Sequence, residues 1–345
     1  MRAIIKLYKG RAFKNILKGR KEKQDWSRSG KEMIFMKKNC YLTSHADGLR
    51  LHILLMEPEE SPRGIVQLCH GMMEHKERYE AFMEYLCRNG YVAVIHDHRG
   101  HGKSIRDEKD LGYFYDSTGT AIVEDAHLVT RWVKKKYPGL PLHLFGHSMG
   151  SLVVRCYLKK YDYELASVIL CGSPSKNQLA GFGIFLAELF CLVNDRKTGV
   201  LFQKIVFGLL EQMSDQEELP NSWISLNKEN VRKYNEDPMN GLPFSNNGFL
   251  NLFHLMANTY SKKGWVGSNP SLPILFLSGE NDPCIGSKEQ FAQAVDHMIS
   301  CGYPNTSGIL FPHVRHELLN EDEETVKKVY QTILEFLSSQ SVSVS

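Results

Sequence analysis

From residue 40 onward, short apolar runs alternate with amphipathic segments. The runs GIVQLC, YVAVIH, LHLF, SVILC and PILFLS are almost continuously apolar, which is typical of strands buried on both faces. Helical spacing of apolar residues marks 77–90 and 121–137, which Gly90 and Pro138 terminate. This rhythm predicts an α/β fold with a mostly parallel central sheet and helices on both faces. Residues 41–58 precede it as a predicted antiparallel hairpin.

The alternation is interrupted between residues 175 and 268, where the chain is apolar, helical in pattern and irregular. A long insertion before the last strands predicts a helical cap over the carboxyl edge of the sheet. The domain boundaries we expect are an N-terminal extension at 1–38, the core at 39–174 and 269–338, the cap at 175–268, and a disordered tail at 339–345.

Charge is distributed unevenly along the chain. Residues 1–38 hold 13 Lys/Arg and 3 Asp/Glu, whereas the remainder holds 29 basic and 36 acidic residues. The extension is expected to be an amphipathic helix on an anionic membrane surface or a disordered tail, unless translation starts at Met33 or Met36. The mildly acidic body gives no reason to expect a nucleic-acid partner.

The eight cysteines include no C-x-x-C pair, and several lie in apolar runs. They are expected to be buried thiols in a reducing compartment. Basic residues interrupt the N-terminus, so no signal peptide is predicted, and the longest apolar stretch, 179–193, is too short to span a membrane. We therefore expect a cytoplasmic protein.

The segment Gly146-His147-Ser148-Met149-Gly150 matches the pattern G-x-S-x-G. It follows the apolar run LHLF and opens the predicted helix MGSLVVRCYLKKY, which is the context of a nucleophile elbow. Ser148 is therefore the predicted nucleophile. An ordinary strand–helix turn is the alternative.

A serine nucleophile needs a base, and the base needs a carboxylate that orients it. Asp282 follows the strand PILFLSG and is the predicted acid, with Glu280 as its rival. His316, just before the last helix, is the predicted base, with His313 as its rival.

Transition-state stabilisation is expected from two backbone N–H groups, one after the first parallel strand and one after the nucleophile. These belong to Met72, in the segment HGMMEH, and to Met149. The glycine-rich segment DHRGHGKS, 97–104, follows the next strand and is interpreted as structural.

The motifs HGMMEHKERY, DHRGHGKS, GHSMGS, SGENDP and RHELLNE, in this order, resemble the monoacylglycerol lipase and lysophospholipase branch of the α/β-hydrolases. The resemblance covers about residues 40–338. It implies cleavage of single-chain acyl esters, a cap over an acyl tunnel, and no cofactor or metal. It also places Glu74 and Arg78 near the substrate head group. Leu319 stands where the family carries a second histidine, which departs from the monoacylglycerol pattern.

Other functions stay open at this point. A serine aminopeptidase of the prolyl-aminopeptidase type, a small-ester carboxylesterase and a non-catalytic binding protein share the fold. An aminopeptidase needs acidic cap residues to hold the substrate amine, and the cap offers Glu211, Asp215, Glu217 and Glu218. The apolar segments 181–193 and 200–210 favour acyl chains instead, and we expect them to line a tunnel to Ser148. Peripheral membrane contact through the cap or the extension would fit a lipid substrate.

Overall fold

A computed structural model describes residues 5–6, 35–213 and 219–340. The N-terminal extension therefore lies almost wholly outside the described residues. Its described parts are strands: Ile5–Lys6 pairs with the last strand of the sheet, and Met36 to Lys38 begin the first long strand. The extension predicted over 1–38 thus overlaps the core by three residues.

In the described part of the chain, nine strands form one sheet in the order β1-β9-β8-β7-β6-β4-β5-β3-β2. The strands are β1 (Ile5–Lys6), β2 (Met36–Thr43), β3 (Arg50–Glu57), β4 (Gly64–Cys69), β5 (Tyr91–His96), β6 (Leu142–His147), β7 (Ser167–Cys171), β8 (Ile274–Gly279) and β9 (Thr306–Phe311). Every pair from β5 to β9 is parallel, whereas β2, β3 and β1 run antiparallel to their neighbours. The predicted hairpin and parallel core are confirmed.

Nine α-helices are present among the described residues. They are α1 (Glu80–Arg88), α2 (Ala121–Lys136), α3 (Met149–Tyr161), α4 (Ala180–Asn194), α5 (Val200–Met213), α6 (Lys228–Glu236), α7 (Asn246–Tyr260), α8 (Lys288–Ser300) and α9 (Glu323–Gln340). Strands β4 to β8 are buried throughout, and separate apolar clusters cover the two faces of the sheet. Helix α9 ends two residues beyond the boundary expected for the core, so Ser339 and Gln340 are helical rather than part of a disordered tail.

The predicted insertion contains helices α4 to α7, between β7 and β8. Helix α7 differs from the others because it packs on the core. The Thr259 hydroxyl lies 3.5 Å from Cys156 Sγ, and Asn251 Oδ1 accepts a hydrogen bond from the Gly119 N–H. The part of the insertion that caps the sheet therefore ends before Asn246.

Two further expectations concern the oxidation state of the cysteines and the presence of membrane-spanning helices. All eight cysteines are free thiols. Among the described residues, no helix is both long and apolar enough to cross a membrane.

Candidate active site

Ser148 lies at the tip of a tight turn between β6 and α3. Its backbone has φ of 51° and ψ of −119°, a strained conformation for a residue with a side chain. A Cβ on Gly146 would lie 2.6 Å from the Gly150 carbonyl oxygen, and one on Gly150 would lie 2.1 Å from that of Cys69. Both glycines are therefore required by close backbone approach, as the elbow pattern predicts.

The acid and the base form a buried pair. His316 Nδ1 lies 3.0 Å from both carboxylate oxygens of Asp282, and the two residues are only 3% and 2% exposed. Asp282 also accepts hydrogen bonds from the Ser278 hydroxyl and the Cys284 N–H, each at 2.8 Å. Burial alone would raise the pKa of Asp282. The adjacent His316 and these hydrogen bonds outweigh burial, and the pKa lies below its usual value.

The alternative acid, Glu280, and the alternative base, His313, have other surroundings. Glu280 forms an ion pair with Lys288, and the exposed His313 has a positive φ of 56°. Neither touches the Asp282–His316 pair in the described hydrogen-bond network. The geometry therefore places the predicted acid beside the predicted base.

The pair also converges on the elbow. The Ser148 N–H donates to the Cys171 carbonyl at 2.9 Å, and a Cβ on the next residue, Gly172, would lie 3.1 Å from the His316 ring. Within the described chain, Ser148 Oγ makes no hydrogen bond, and the nearest partner recorded for His316 Nε2 is Cys284 Sγ, 4.0 Å away. Catalytic hydrogen bonds are often long in the absence of substrate and tighten when it binds.

The loop after β4 passes directly beside the nucleophile. A Cβ on Gly71 would lie 3.2 Å from Ser148 Cβ. Met72 follows Gly71, and Met149 is the first residue of α3, so its N–H has no partner within the helix. The two predicted oxyanion donors thus belong to the two backbone segments that flank Ser148.

Glu74 and Arg78 belong to a buried network rather than to an open cleft. Glu74 accepts hydrogen bonds from the Gly71 N–H at 2.5 Å and the Tyr79 hydroxyl at 2.7 Å. Arg78 donates to Glu74 at 3.2 Å and to Glu317 at 2.5 Å, and its side chain is only 9% exposed. The resemblance placed both residues near the substrate head group. Their polar atoms face protein partners in this structure, and contact with a substrate head group stays a prediction.

His147 links this network to His316, the predicted base. Its Nδ1 lies 3.3 Å from Glu74 Oε1, and its Nε2 lies 3.3 Å from the His316 carbonyl oxygen. Both ring nitrogens thus face acceptors, which only the imidazolium form can satisfy with two N–H donors. Burial lowers the pKa of His147, but the hydrogen bond to Glu74 and the charges of Glu74 and Glu317 outweigh it, and the pKa is raised.

The cap contributes a residue that was not predicted from the sequence. The Trp223 ring lies 5.2 Å from the His316 ring, and the neighbouring Ile224 carbonyl accepts a hydrogen bond from the Glu317 N–H at 2.7 Å. An aromatic residue in a long insertion carries no sequence signal that points to the catalytic histidine. The acidic residues proposed to favour an aminopeptidase, Glu211, Asp215, Glu217 and Glu218, have side chains outside the described residues.

The segment 97–104, which follows β5, is held by ion pairs and hydrogen bonds at the carboxyl end of that strand. Asp97 accepts from Lys76 Nζ at 2.9 Å and from the Lys103 N–H at 3.0 Å, while Arg99 pairs with Asp125 at 2.8 Å. All these contacts are internal, which fits the structural interpretation.

One cluster of metal-type ligands occurs among the described residues, and it coincides with the catalytic pair. Asp282, Cys284 and His316 offer ligand atoms within 4.8 Å of one another. Burial and the nearby Asp282 charge raise the pKa of the Cys284 thiol well above its usual value. Asp282 and His316 are already hydrogen-bonded to each other, so this group is the acid–base pair described above together with a neighbouring thiol.

Comparison with known proteins identifies the family of the chain. A family model described as "Serine aminopeptidase, S33" matches residues 60–323, and the chain belongs to this family. It is therefore a hydrolase of the α/β-hydrolase fold.

Its relatives include several lipases. The monoacylglycerol lipase of Mycolicibacterium smegmatis is 26% identical over 80% of this chain and 89% of its own length. Human monoglyceride lipase is 27% identical over 71% of this chain and 73% of its own. Among solved structures, a thermostable carboxyl esterase from Bacillus coagulans aligns with a TM-score of 0.82 and 26% identity, over 90% of this chain and 99% of the esterase.

Proposed function

We propose that the chain is a serine hydrolase that cleaves carboxylic esters of single-chain lipids, of the monoacylglycerol or lysophospholipid type. The observation that carries the proposal is the buried Asp282–His316 pair beside the strained elbow of Ser148. Such a pair can activate a serine hydroxyl. Relatives named monoacylglycerol lipase and probable lysophospholipase support the lipid-ester class.

In the proposed mechanism, Ser148 Oγ attacks the ester carbonyl carbon while His316 Nε2 takes the hydroxyl proton. Asp282 holds the Nδ1–H and stabilises the imidazolium that forms. The Met72 and Met149 N–H groups stabilise the tetrahedral oxyanion. As this intermediate collapses, His316 returns the proton to the departing alcohol, which leaves an acyl-enzyme. Water then attacks the acyl carbon with His316 as base, releasing the carboxylic acid and the free serine.

The cap supports a lipid substrate in a way that differs from the predicted tunnel. On α4 and the start of α5, large apolar side chains point into solvent: Phe185 is 56% exposed and Leu192 is 84% exposed. The buried apolar contacts of these helices, such as Ala187 and Phe202, seal the cap onto the core. Extended apolar patches of this kind are typical of interaction surfaces. We therefore propose that the outer faces of α4 and α5 contact a lipid surface. Phe185, in the segment expected to line an acyl tunnel, lies on this outer face.

An aminopeptidase is the second candidate, because the family model carries that description. An aminopeptidase must hold a substrate ammonium group near the nucleophile. Glu74 and Glu317 are the buried acids nearest the site, but both are already paired with Arg78. This pairing favours the ester over the aminoacyl substrate.

The test is a substrate panel measured with the wild type and with Ser148→Ala. We expect kcat/KM for monoacyl esters to rise at least about tenfold from acetyl to long chains, which needs only about 1.4 kcal/mol of differential transition-state binding. Ser148→Ala should keep the fold and lose both fluorophosphonate labelling and turnover by several orders of magnitude. Faster cleavage of aminoacyl amides than of any ester would favour the aminopeptidase, and labelling of Ser148→Ala would refute the assigned nucleophile.

A further inference from the structure

Arg155 is a buried cation without a hydrogen-bond partner among the described residues. It lies on α3, two turns after Ser148, and is fully buried. None of its three guanidinium nitrogens makes a hydrogen bond in the described chain. Its Cζ lies 4.3 Å from the centre of the Tyr260 ring and 5.7 Å from that of Phe276. Aromatic stacking offsets part of the cost of burying a charge, but it satisfies no N–H donor.

Tyr260 also lines a cleft of about 140 Å³ between α7, α8 and the start of the cap. The residues that line it are Lys176, Gln178, Tyr260, Gln290, Gln293, Ala294 and His297. This lining supplies an ammonium group and three side-chain amides, and none of these residues is acidic. Hydrogen-bond donors therefore surround the cleft.

The electrostatic environment of the cleft wall is positive. His297 stacks near Tyr260, with ring centres 5.2 Å apart. Burial and the charges of Arg155, Lys159 and Lys262 lower the pKa of His297 to about 4, against the opposing hydrogen bond to the Thr259 carbonyl. Three cations thus act on one wall of the cleft, while Lys176 lines it directly.

We propose that this cleft binds a phosphate group, either as the free ion or at the end of a small molecule. Lys176 and the glutamine amides would donate to the phosphate oxygens, and the unpaired charge of Arg155 behind Tyr260 would stabilise the anion electrostatically. The volume lies well below the roughly 300–1,000 Å³ of sites for drug-sized ligands, so the ligand is small. The inference does not depend on the hydrolase activity.

The experiment is thermal unfolding of the full chain in increasing inorganic phosphate, with ionic strength held constant by chloride. A ligand that binds only the folded state raises Tm in proportion to the logarithm of its concentration once that concentration exceeds Kd. We expect a rise of roughly 2–4 °C for the wild type at a phosphate concentration of about ten times Kd. A parallel titration with glycerol 3-phosphate distinguishes the sources, because tighter binding than phosphate indicates a phosphomonoester ligand and equal binding indicates the free ion.

Three variants test the residues that carry the proposal. Arg155→Met should abolish the phosphate-dependent rise. Without phosphate its Tm should equal or exceed that of the wild type, because an apolar side chain replaces an unpaired buried charge. Gln293→Glu, an exposed substitution that places a carboxylate in the cleft, should weaken binding at least about tenfold through like-charge repulsion, and it serves if Arg155→Met does not fold. Lys135→Gln, which removes an exposed charge on α2, is the matched control and should leave binding unchanged.

The absence of a phosphate-dependent rise in Tm at constant ionic strength in the wild type would overturn the proposal. A rise of the same size in Gln293→Glu and in folded Arg155→Met would overturn it as well, because phosphate would then bind elsewhere.

Discussion

Arg78 offers a sharp test of whether the network beside Ser148 is structural or binds substrate. Arg78→Met removes the only cation recorded as pairing with Glu317 and one of the donors to Glu74, in the described part of the chain. Both carboxylates are buried, with side chains 5% and 4% exposed. Removing one partner of a buried ion pair leaves an uncompensated charge and costs roughly 3–5 kcal/mol.

The assay is urea unfolding of the wild type and Arg78→Met, alongside kcat and KM for a soluble ester. We expect the free energy of unfolding to fall by about 3–5 kcal/mol and kcat to fall with it, because Glu317 adjoins His316 in the chain. Adding Glu317→Gln should recover part of the stability, so the double variant should lose less than the sum of the single losses.

The control is Arg88→Met, which breaks an exposed ion pair with Glu84 at 3.6 Å. In this pair, as in Arg78 and Glu74, the glutamate precedes the arginine by four residues. Exposed pairs contribute about 0–1 kcal/mol, so this variant should stay near the wild type. If Arg78→Met remains as stable as Arg88→Met and only its KM rises, Arg78 binds substrate and the structural interpretation of the network is wrong.

Three further predictions follow from the site and the cap. Asp282→Asn should lower kcat by about 10⁴-fold, as expected when the orienting acid of a triad is neutralised, and Glu280→Gln should stay within a few-fold of the wild type; equal losses would contradict the assigned acid. The pKa of His147 is raised on folding, so its stabilisation should be complete below about pH 6.5 and lost as pH rises through the folded pKa. Urea unfolding from pH 6 to 9 should show this loss in the wild type and not in His147→Gln, and identical profiles would refute it. Phe185→Asp should reduce binding to lipid vesicles, measured by co-sedimentation, and leave the turnover of a soluble ester unchanged, measured by steady-state kinetics. Unchanged vesicle binding would contradict the proposed contact of α4 and α5 with a lipid surface.

The sequence predicted the core well because burial on both faces leaves an unambiguous apolar pattern. Helix α3 begins and ends where the pattern places it, and the strand before the elbow, β6, begins at the predicted Leu142. Strand β2 was partly missed because it lies at the sheet edge. Its first residues, Met36 to Lys38, are exposed, and the two lysines continue the charge pattern of the preceding tail. An edge strand has only one neighbour to bury it, so its composition resembles that of a solvated segment.

The remaining differences between the predictions and the structure arise from contacts between residues that are far apart in the sequence. Helix α7 belongs to the core through buried asparagines, and polar residues at those positions gave no sign of burial. The family resemblance placed Glu74 and Arg78 near the substrate head group and gave no sign of their shared ion-pair partner. Their partner Glu317 lies 239 positions from Arg78, and only the fold brings the two together. Glu317 directly follows His316, the predicted base. This adjacency was the one feature of the sequence that could have indicated that Glu317 lies near Glu74 and Arg78.

The two parts of the cap are attached to the core in different ways. The segment 222–241 is held by polar contacts to both catalytic loops: the Ile224 carbonyl binds the Glu317 N–H, and the Gly241 N–H donates to the Met73 carbonyl at 2.9 Å. Helices α4 and α5 instead meet the core through apolar side chains and leave a large apolar face in solvent. Hydrogen bonds are directional, whereas apolar contacts tolerate sliding. Segment 222–241 therefore ties the loop of Met73 to the loop of Glu317. The lipid contact that we propose for α4 and α5 falls on the part of the cap that meets the core through apolar side chains.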